Sequence, residues 1–431
     1  MSFVQGLSGL FGAATGLDVI SNNLANAGTV GFKGSRAEFS DIFASYLKTD
    51  TGNGAATSSV AQQFAQGGLK STSNGLDFSI NGNGLFQVNA DAAGTGRTAY
   101  TRNGEFHFEP VPTAAGGTPA ERYIVNAQGN YLTGWAAGAA PTGAPGVLKL
   151  TAGMAAQATS ASSLRFNLDD SASVPRNATF DTTDTNSFNW SATQTIYSGV
   201  SGDTAAHELQ LYFAKTDTPN TWNVYTRIDG VAPPEEAAGP RQLTFSPSGL
   251  LTSGGTFTST GALTAVSVST DPLTGASTST TSTASLPIAI DLGLTTQFAT
   301  AFDIGKAEQD GYKDGFLTAT SLSADGVIQG RYSNDRTQNI GTVALATFLN
   351  PNGLKSLGDN LWLETANSGL ANIGTAATGG RGVLASSSLE QSNVDMTDEL
   401  VNMITMQRNY QANAQSIKTQ DEVLKTLAAL R

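Results

Sequence analysis

The chain opens with MSFVQGLSGLFGAATGLDVISNNLANAGTVGFK, residues 1–33, which begins as a helical pattern. Its apolar positions alternate four and three residues apart, and this spacing keeps them on one face of a helix. The predicted seam comprises Phe3, Leu7, Leu10, Ala14, Leu17 and Leu24, with Ser21 in register. Spacing alone is compatible with a seam that pairs with another helix and with an amphipathic helix on its own domain's core.

The other end of the chain repeats this pattern. Residues 394–430 contain neither Gly nor Pro, so a helix over them would be roughly 55 Å long at about 1.5 Å per residue. Acidic residues cluster at its start, which favours the helix dipole. The predicted C-terminal seam comprises Met396, Leu400, Met403, Tyr410, Ala414, Ile417 and Leu424. A helix of this length is unusual as the cap of a globular domain.

Between the ends the pattern is that of strands. Short apolar runs such as residues 85–88 and 209–213 are separated by Asn-Gly and Asp-Gly pairs, which are typical of tight turns. Residues 49–68 are polar and rich in Gly and Gln, and they predict an extended linker. The predicted fold class is α+β, mostly β, with helices at both chain ends.

Composition excludes several classes of function. The 431 residues carry a net charge of −12, which argues against nucleic acid or an anionic membrane as the main partner. Cysteine is absent, so disulfides and thiolate chemistry are excluded. No unbroken apolar run approaches the ~20 residues of a membrane span, and no membrane insertion is expected. The N-terminal residues lack the basic leader of a cleavable signal peptide.

The sequence contains no convincing catalytic, cofactor or metal motif. His207-Glu208 begins like HExxH, but Leu211 occupies the position of the second histidine. Gly82-Asn83-Gly84 resembles the start of a dinucleotide loop, but Gln87 replaces the last glycine. We therefore expect neither catalysis nor a cofactor. A secreted hydrolase with an acidic site in the middle of the chain remains an alternative, because scattered carboxylates do not exclude one.

Two stretches at opposite ends carry a family resemblance. Residues 20–33, ISNNLANAGTVGFK, resemble the N-terminal signature of the axial proteins of the bacterial flagellum, and residues 389–414 resemble their C-terminal signature. The family motif maps onto Asn22, Asn23, Leu24, Asn26, Gly31, Phe32 and Lys33, although Gly28 stands where Asn is common. Hook subunits fit better than distal rod subunits, the alternative within the family, because rod subunits lack an insertion like residues 150–300.

The resemblance implies how the chain is organised. The expected parts are a helix over residues 1–27, a linker over 28–68, an inner β domain over 69–148 and 301–388, an outer β domain over 149–300, and a C-terminal helix over 389–431. The terminal helices would pair as a coiled coil facing a central channel.

The resemblance also implies function and partners. The expected product is a helical homopolymer, a curved flexible tube that joins rod to filament as a universal joint. Distal rod protein, hook cap protein and hook–filament junction proteins would be further partners. Export would use the flagellar type III apparatus, which leaves no cleaved signal peptide, and would place the chain outside the cell.

Overall fold

The computed structural model describes residues 3–41, 54–111, 121–141, 143–270 and 277–429. The chain divides into two compact units. The first unit comprises residues 1–152, 318–331 and 337–431, and the second comprises residues 153–317 and 332–336. The second unit is thus an insertion in the first. Part of the predicted linker, residues 42–53, lies outside the described residues.

Two long helices occupy the chain ends, but the C-terminal helix begins at Met396 and not at the expected residue 389, because Ser388–Glu390 form a strand. Helix α1 spans Phe3–Ala25 and helix α2 spans Met396–Ala429. Asp395 accepts hydrogen bonds from the backbone N–H groups of Thr397 and Asp398 at 2.7 and 3.3 Å, which caps the start of α2. The remaining regular structure is almost all strand, so the predicted fold class is confirmed.

The first unit is built from antiparallel strands on both sides of the insertion. Before the insertion it contains β1 (Ser35–Asp41), β2 (Ala55–Gln62), β3 (Leu69–Ser71), β4 (Phe78–Asn81), β5 (Leu85–Asn89), β6 (Thr98–Thr101), β7 (Phe106–Pro110), β8 (Glu121–Asn126), β9 (Tyr131–Ala136), β10 (Gly146–Val147) and β11 (Lys149–Thr151). Strands β9, β5 and β6 lie side by side in its main sheet. Phe86, Val88 and Leu132 are fully buried there. Further strands flank these three strands on both sides, so the residues lie in the middle of the sheet.

The second unit is a sandwich of two sheets. Its strands are β12 (Gly153–Met154), β13 (Ala161–Asp169), β14 (Trp190–Ile196), β15 (His207–Lys215), β16 (Thr221–Ile228), β17 (Arg241–Phe245), β18 (Leu251–Ser253), β19 (Thr256–Thr270), β20 (Ser277–Asp291), β21 (Thr296–Phe298) and β22 (Asp303–Gln309), with a 3₁₀ helix at Pro234–Ala238. One sheet has the order β14-β15-β16-β17-β18, and the other has the order β19-β20-β13-β21 with β22 also on β13. Burial alternates along β13, and the inward residues of both sheets form one apolar core around Phe166, Phe213 and Trp222.

The remaining strands return the chain to α2. They are β23 (Gly315–Leu322), β24 (Val327–Tyr332), β25 (Thr337–Val343), β26 (Leu345–Thr347), β27 (Lys355–Gly358), β28 (Leu361–Leu363), β29 (Asn372–Gly374), β30 (Val383–Ser386) and β31 (Ser388–Glu390), with a 3₁₀ turn at Pro351–Gly353. Strand β28 pairs with β6 and β30 pairs with β4. The first unit therefore closes only when both halves of the chain are present.

Three details differ from the sequence-based expectations. Residues 301–317 belong to the second unit, because β22 pairs with β13 along most of its length. The region expected to be a linker contains a hairpin, since β1 pairs with β2 from Ser35↔Gln62 to Asp41↔Ala55. Helix α1 is long and apolar enough to cross a membrane by length and composition. No membrane span was expected because large apolar residues do not form an unbroken run here. Glycine and alanine supply much of the apolar character of α1.

Candidate functional site: the junction of the two chain ends

The two terminal helices pack together through glycines. A Cβ atom built on Gly6 would lie 3.1 Å from Ile417, and one on Gly16 would lie 3.3 Å from the sulfur of Met406. At Gly9 the nearest atom would be the side-chain nitrogen of Asn413, at 2.7 Å. From Gly6 to Gly16 the residue numbers rise along α1, whereas those of the contacted residues on α2 fall from 417 to 406. The two helices therefore run antiparallel. We call Gly6, Gly9 and Gly16 the glycine face of α1.

The large apolar side chains of α1 lie on the opposite side. Phe3, Val4, Leu7 and Phe11 are exposed, and Phe11 retains 62% of its accessible surface. Successive residues of a helix are rotated by about 100°, which places these four opposite the glycine face. We call them the outer apolar face. Helix α1 thus turns these glycines toward α2 and leaves the four side chains of the outer apolar face exposed.

The predicted seams are only partly buried within the single chain. Of the N-terminal seam, Phe3 and Leu7 are exposed and Leu10, Ala14, Leu17 and Leu24 are half-buried. Of the C-terminal seam, Met396, Leu400, Tyr410 and Leu424 are exposed, whereas Met403, Ala414 and Ile417 are half-buried. Only Ile417 is a predicted seam residue that meets the glycine face. Hydrophobic periodicity marks large apolar residues as inward, and here glycines occupy the inward positions.

The family motif lies at the end of α1, where Asn23 fixes the outgoing chain. The side-chain oxygen of Asn23 accepts a hydrogen bond from the N–H of Ser35 at 2.8 Å. Its amide nitrogen donates to the carbonyl of Ser35 at 2.7 Å and to Glu399 of α2 at 2.9 Å. Asn23 is buried, and an unpaired amide at this position would be destabilising. One side chain therefore joins α1, β1 and α2.

Lys33, the last residue of the motif, is 1% exposed and ends in a buried cluster of charges. Its Nζ donates to Oε1 of Glu390 and to the carbonyl of Ala65, both at 2.7 Å. Arg102 donates through Nε to the other carboxylate oxygen of Glu390. We call Lys33, Arg102 and Glu390 the junction cluster.

The junction cluster is held by backbone groups from several segments. Arg102 donates to the carbonyls of Ile80 at 2.9 Å, Gly82 at 2.7 Å and Gly84. Burial lowers the pKa of Lys33, and the charge of Arg102 lowers it further, whereas the hydrogen bond and charge of Glu390 oppose this shift. Two cations share one carboxylate, so Glu390 is the residue on which the cluster depends.

Other motif residues shape the backbone around this cluster. Gly31 has φ +69°, and a Cβ there would lie 2.6 Å from the backbone nitrogen of Asn103, so only glycine fits. Its N–H donates to the carbonyl of Glu390 at 2.8 Å. Asn26 donates to the carbonyl of Asn22 at 3.0 Å at the end of α1. Phe32 is half-buried. The motif residues thus serve the turn that leads from α1 to Lys33.

Sequence reasoning missed Arg102, Glu390 and Asn393. Asn393 accepts a hydrogen bond from the N–H of Gly34 at 2.8 Å and donates to the carbonyl of Gln63 at 2.7 Å. Glu390 lies inside the C-terminal stretch that carries the resemblance, and charged residues are only 13% of the chain. A charged residue next to an apolar strand is a signal that would have marked these positions as candidates. Nothing in the sequence, however, indicates that residues 33, 102 and 390 contact one another.

The geometry defines a class of protein, one whose two chain ends are locked together and leave apolar helix faces uncovered. Four family models match: "Flagella basal body rod protein" at residues 6–33, "Flagellar hook protein FlgE/F/G D1 domain" at 79–179, "Flagellar basal body protein FlaE D2 domain" at 167–312, and "Flagellar basal body rod FlgEFG protein C-terminal" at 385–430. The N-terminal match ends at Lys33, and the C-terminal match contains Glu390.

The chain is also similar to curated relatives over its full length. It is 40% identical to the flagellar hook protein FlgE of Salmonella typhimurium and 38% identical to that of Escherichia coli K12, in each case over 100% of both chains. A solved structure of Helicobacter pylori flagellar hook protein FlgE2 covers 75% of this chain and 100% of its own, at 12% identity and a TM-score of 0.47. The chain belongs to the flagellar hook protein FlgE family.

Family membership confirms the predicted role as a structural protein of the flagellar hook. The distal rod alternative is disfavoured because hook proteins match the whole chain, including the insertion. Membership of a structural family implies a non-enzymatic role, and no comparison supports the hydrolase alternative.

Proposed function

We propose that the chain assembles into the hook through the outer faces of its terminal helices. The exposure of the outer apolar face is the observation that carries this proposal, because four large apolar side chains on one helix face are unusual in a monomer. Met396, Leu400, Val401 and Ile404 of α2 are likewise exposed. The four side chains of the outer apolar face of α1 are already about half covered, so burying the rest would contribute roughly 3–6 kcal/mol, about half of 1.5–3 kcal/mol per side chain.

Within this proposal the predicted seams act between copies of the chain. Phe3 and Leu7 belong both to the predicted N-terminal seam and to the outer apolar face. Met396 and Leu400 likewise belong both to the predicted C-terminal seam and to the exposed apolar residues of α2. These four side chains would meet the helices of neighbouring subunits around the central channel.

The junction cluster would hold the helix pair to the β-rich part of the first unit. A hook transmits torque along its wall, so the connection between helices and strands has to resist rotation. Lys33 and Glu390 supply it with short hydrogen bonds in a buried site, where such bonds are strong. The second unit, as an insertion, would occupy the outer wall and set the curvature of the tube.

The proposed partners follow from this role. The chain would contact other copies of itself along the tube, distal rod protein at one end, and hook cap protein and then junction proteins at the other. Export would proceed through the flagellar type III apparatus without a cleaved signal peptide. The absence of cysteine supports this route, because a chain threaded through a narrow channel cannot carry disulfides.

The outer apolar face can be tested by substitution. Phe3→Ser combined with Phe11→Ser should prevent tube formation, as seen by electron microscopy and sedimentation, while the monomer melts like wild type. Val231→Ser, which removes an exposed apolar side chain of the second unit instead, is the control and should leave tube formation intact. Normal tubes from the double variant would refute a role for this face.

The role of the insertion has its own test. Joining Ala152 to Thr318 through a short Gly-Ser linker follows the boundary that the structure gives. The shortened chain should still form tubes, because the helices and the junction cluster are retained, but the tubes should be straighter. Tubes of unchanged curvature would rule out a shape-determining role for the second unit.

A further inference from the structure

Strands β19 and β20 form a long hairpin in the second unit. They pair without a register shift from Thr256↔Asp291 to Thr270↔Ser277, so the two strands are 15 residues each. At about 3.3 Å per residue the hairpin extends roughly 50 Å. Residues 277–283 of β20 are exposed at every position. This part of β20 is therefore open to solvent, whereas Ala265 of the paired strand β19 is buried.

The edge of the hairpin on the β19 side is covered by other parts of the second unit. The N–H of Thr204 donates to the carbonyl of Val266 at 3.0 Å, and the N–H of Val266 donates to Asp203 at 3.0 Å. Further along, the N–H of Thr260 donates to Glu235 at 3.2 Å. These contacts occupy backbone groups that would otherwise accept another strand.

The edge on the β20 side differs. Strand β20 pairs with β13 only from Ala289 to Asp291. Within the described part of the chain, residues 278–286 have no strand on the side away from β19. In an antiparallel pair every second residue points its N–H and C=O away from its partner. A row of backbone donors and acceptors about nine residues long is thus available.

Edge strands usually carry features that block further pairing, such as charged side chains, proline or a bulge. The edge strand β22 contains Asp303, Lys306 and Glu308, and β1 contains Arg36, Glu38 and Asp41. Residues 278–286 of β20 read TSTTSTASL, with no charge, no proline and no bulge. These nine residues lack each of these protections, and the proline of β20, Pro287, comes directly after them.

We propose that residues 278–286 of β20 add a strand from the second unit of a neighbouring copy in the assembled tube. This inference rests on the proposed polymerisation, which brings a second copy within reach. Each copy carries a net charge of −12, so an uncharged surface is where two copies approach with the least repulsion. Contacts in a helical polymer join different surfaces of the two copies, so the added strand is not β20 itself.

The composition of the edge also suits a joint that bends. Ser and Thr side chains on both faces specify the register of strand pairing only weakly. A shift by two residues keeps the same side chains on the same face and restores the backbone hydrogen bonds. Copies on the inner and outer side of a bend could therefore hold the same strand in different registers.

A photo-cross-linking amino acid placed at Thr281 tests the pairing. In assembled tubes it should give a cross-link between chains, which mass spectrometry should locate in the second unit of another copy. The same probe at Thr182, an exposed position in a loop of this unit, is the control and should give no such cross-link. Tubes in which the Thr281 probe reacts only within its own chain, or only with the terminal helices, would overturn the proposal.

Charged side chains beside the probe provide the second measurement. Ser279→Lys with Thr283→Lys should abolish the cross-link from position 281, whereas Thr182→Lys with Thr185→Lys should leave it unchanged. The monomer should melt like wild type in both cases, because these positions are exposed. An undiminished cross-link in the first variant would overturn the pairing. A failure of the unmodified chain to form tubes is a different result, since it would overturn polymerisation and the pairing together.

Discussion

The second unit and the terminal helices bury their residues in opposite ways. The second unit fills its interior with large side chains, and Phe166, Phe213 and Trp222 are at most 2% exposed. Helix α1 turns glycines toward its partner and leaves Phe3 and Phe11 in solvent. Apolar area removed from water is the main favourable term in folding. The second unit therefore holds its stability within one chain, whereas the helices leave apolar area uncovered that the proposed assembly would bury.

This contrast makes the effect of a substitution depend on where it is made. A change in the second unit should appear in the stability of the monomer. A change on the outer apolar face should appear in assembly. The predictions that follow test this difference, beginning with the largest expected change in the free energy of unfolding.

Trp222→Ala should destabilise the second unit by about 5 kcal/mol, near the upper end for removal of a fully buried aromatic side chain. Trp222 also donates from Nε1 to the side chain of Gln297 at 3.1 Å, so the variant leaves a buried acceptor unpaired. Calorimetry should show the transition of the second unit shifted far down in temperature. Phe11→Ala, an equally conservative truncation at an exposed site, should leave the monomer's transitions in place.

Glu390→Gln should destabilise the first unit by about 3 kcal/mol, because Lys33 and Arg102 would remain buried without an anion. The loss should shrink as the pH rises toward 10.5. Burial lowers the pKa of Lys33, so the unfolded chain binds this proton more tightly and folding gains stability with rising pH. Urea unfolding at several pH values measures both effects. Glu422→Gln, at an exposed position of α2, should have neither.

Gly9→Leu should weaken the pairing of α1 with α2 by about 2 kcal/mol, the usual magnitude for overpacking. Its side chain would meet Asn413, which already lies 2.7 Å from the position of a Cβ atom. Hydrogen exchange of α1 amides should speed up in the monomer. Gly28→Leu has open space around its Cβ and serves as the control. Unchanged exchange in the Gly9 variant would mean that close approach of the helices contributes nothing to their order.

The sequence predicted the elements of this fold better than their contacts. The terminal helices were predictable because residues 394–430 contain no helix breaker and the apolar spacing near residue 10 is regular. Which helix face meets the partner was not predictable from apolar spacing. Gly6, Gly9 and Gly16 are three and seven residues apart, which fits the same heptad spacing. Glycine has no side chain, however, so its spacing gives no hydrophobic signal.

The junction cluster could not be predicted from the sequence for a different reason. Lys33 lies 357 residues from Glu390 along the chain, and no local rule joins positions so far apart. The resemblance pointed to Lys33 because it ends the family motif, but it gave no partner. The insertion ends at residue 317 in the structure and not at the expected 300, since the pairing of β22 with β13 has no signature in the sequence of either strand.

The smallest predicted effect concerns a buried acid in the second unit. Burial alone would raise the pKa of Asp203, but hydrogen bonds from the Ser198 hydroxyl, from the N–H groups of Ala205 and Val266, and from His207 outweigh burial and lower the pKa to about 2. An acid with a lowered pKa in the folded state stabilises the fold above its unfolded value of 3.8. That contribution disappears as the pH falls from 3.8 toward 2.

Asp203→Asn should therefore destabilise the second unit by about 1 kcal/mol at neutral pH, the net value of one hydrogen bond to a buried acceptor. The difference from wild type should shrink below pH 3.8 and be mostly lost near pH 2, where Asp203 is protonated in the unfolded chain and about half protonated in the folded one. Fluorescence of Trp190 and Trp222, both in the second unit, can follow urea unfolding at pH 7, 4, 3 and 2. Asp217→Asn, at an exposed position, is the matched control. A constant difference at every pH would show that Asp203 contributes through shape alone, and the acid sensitivity of this unit would then have another origin.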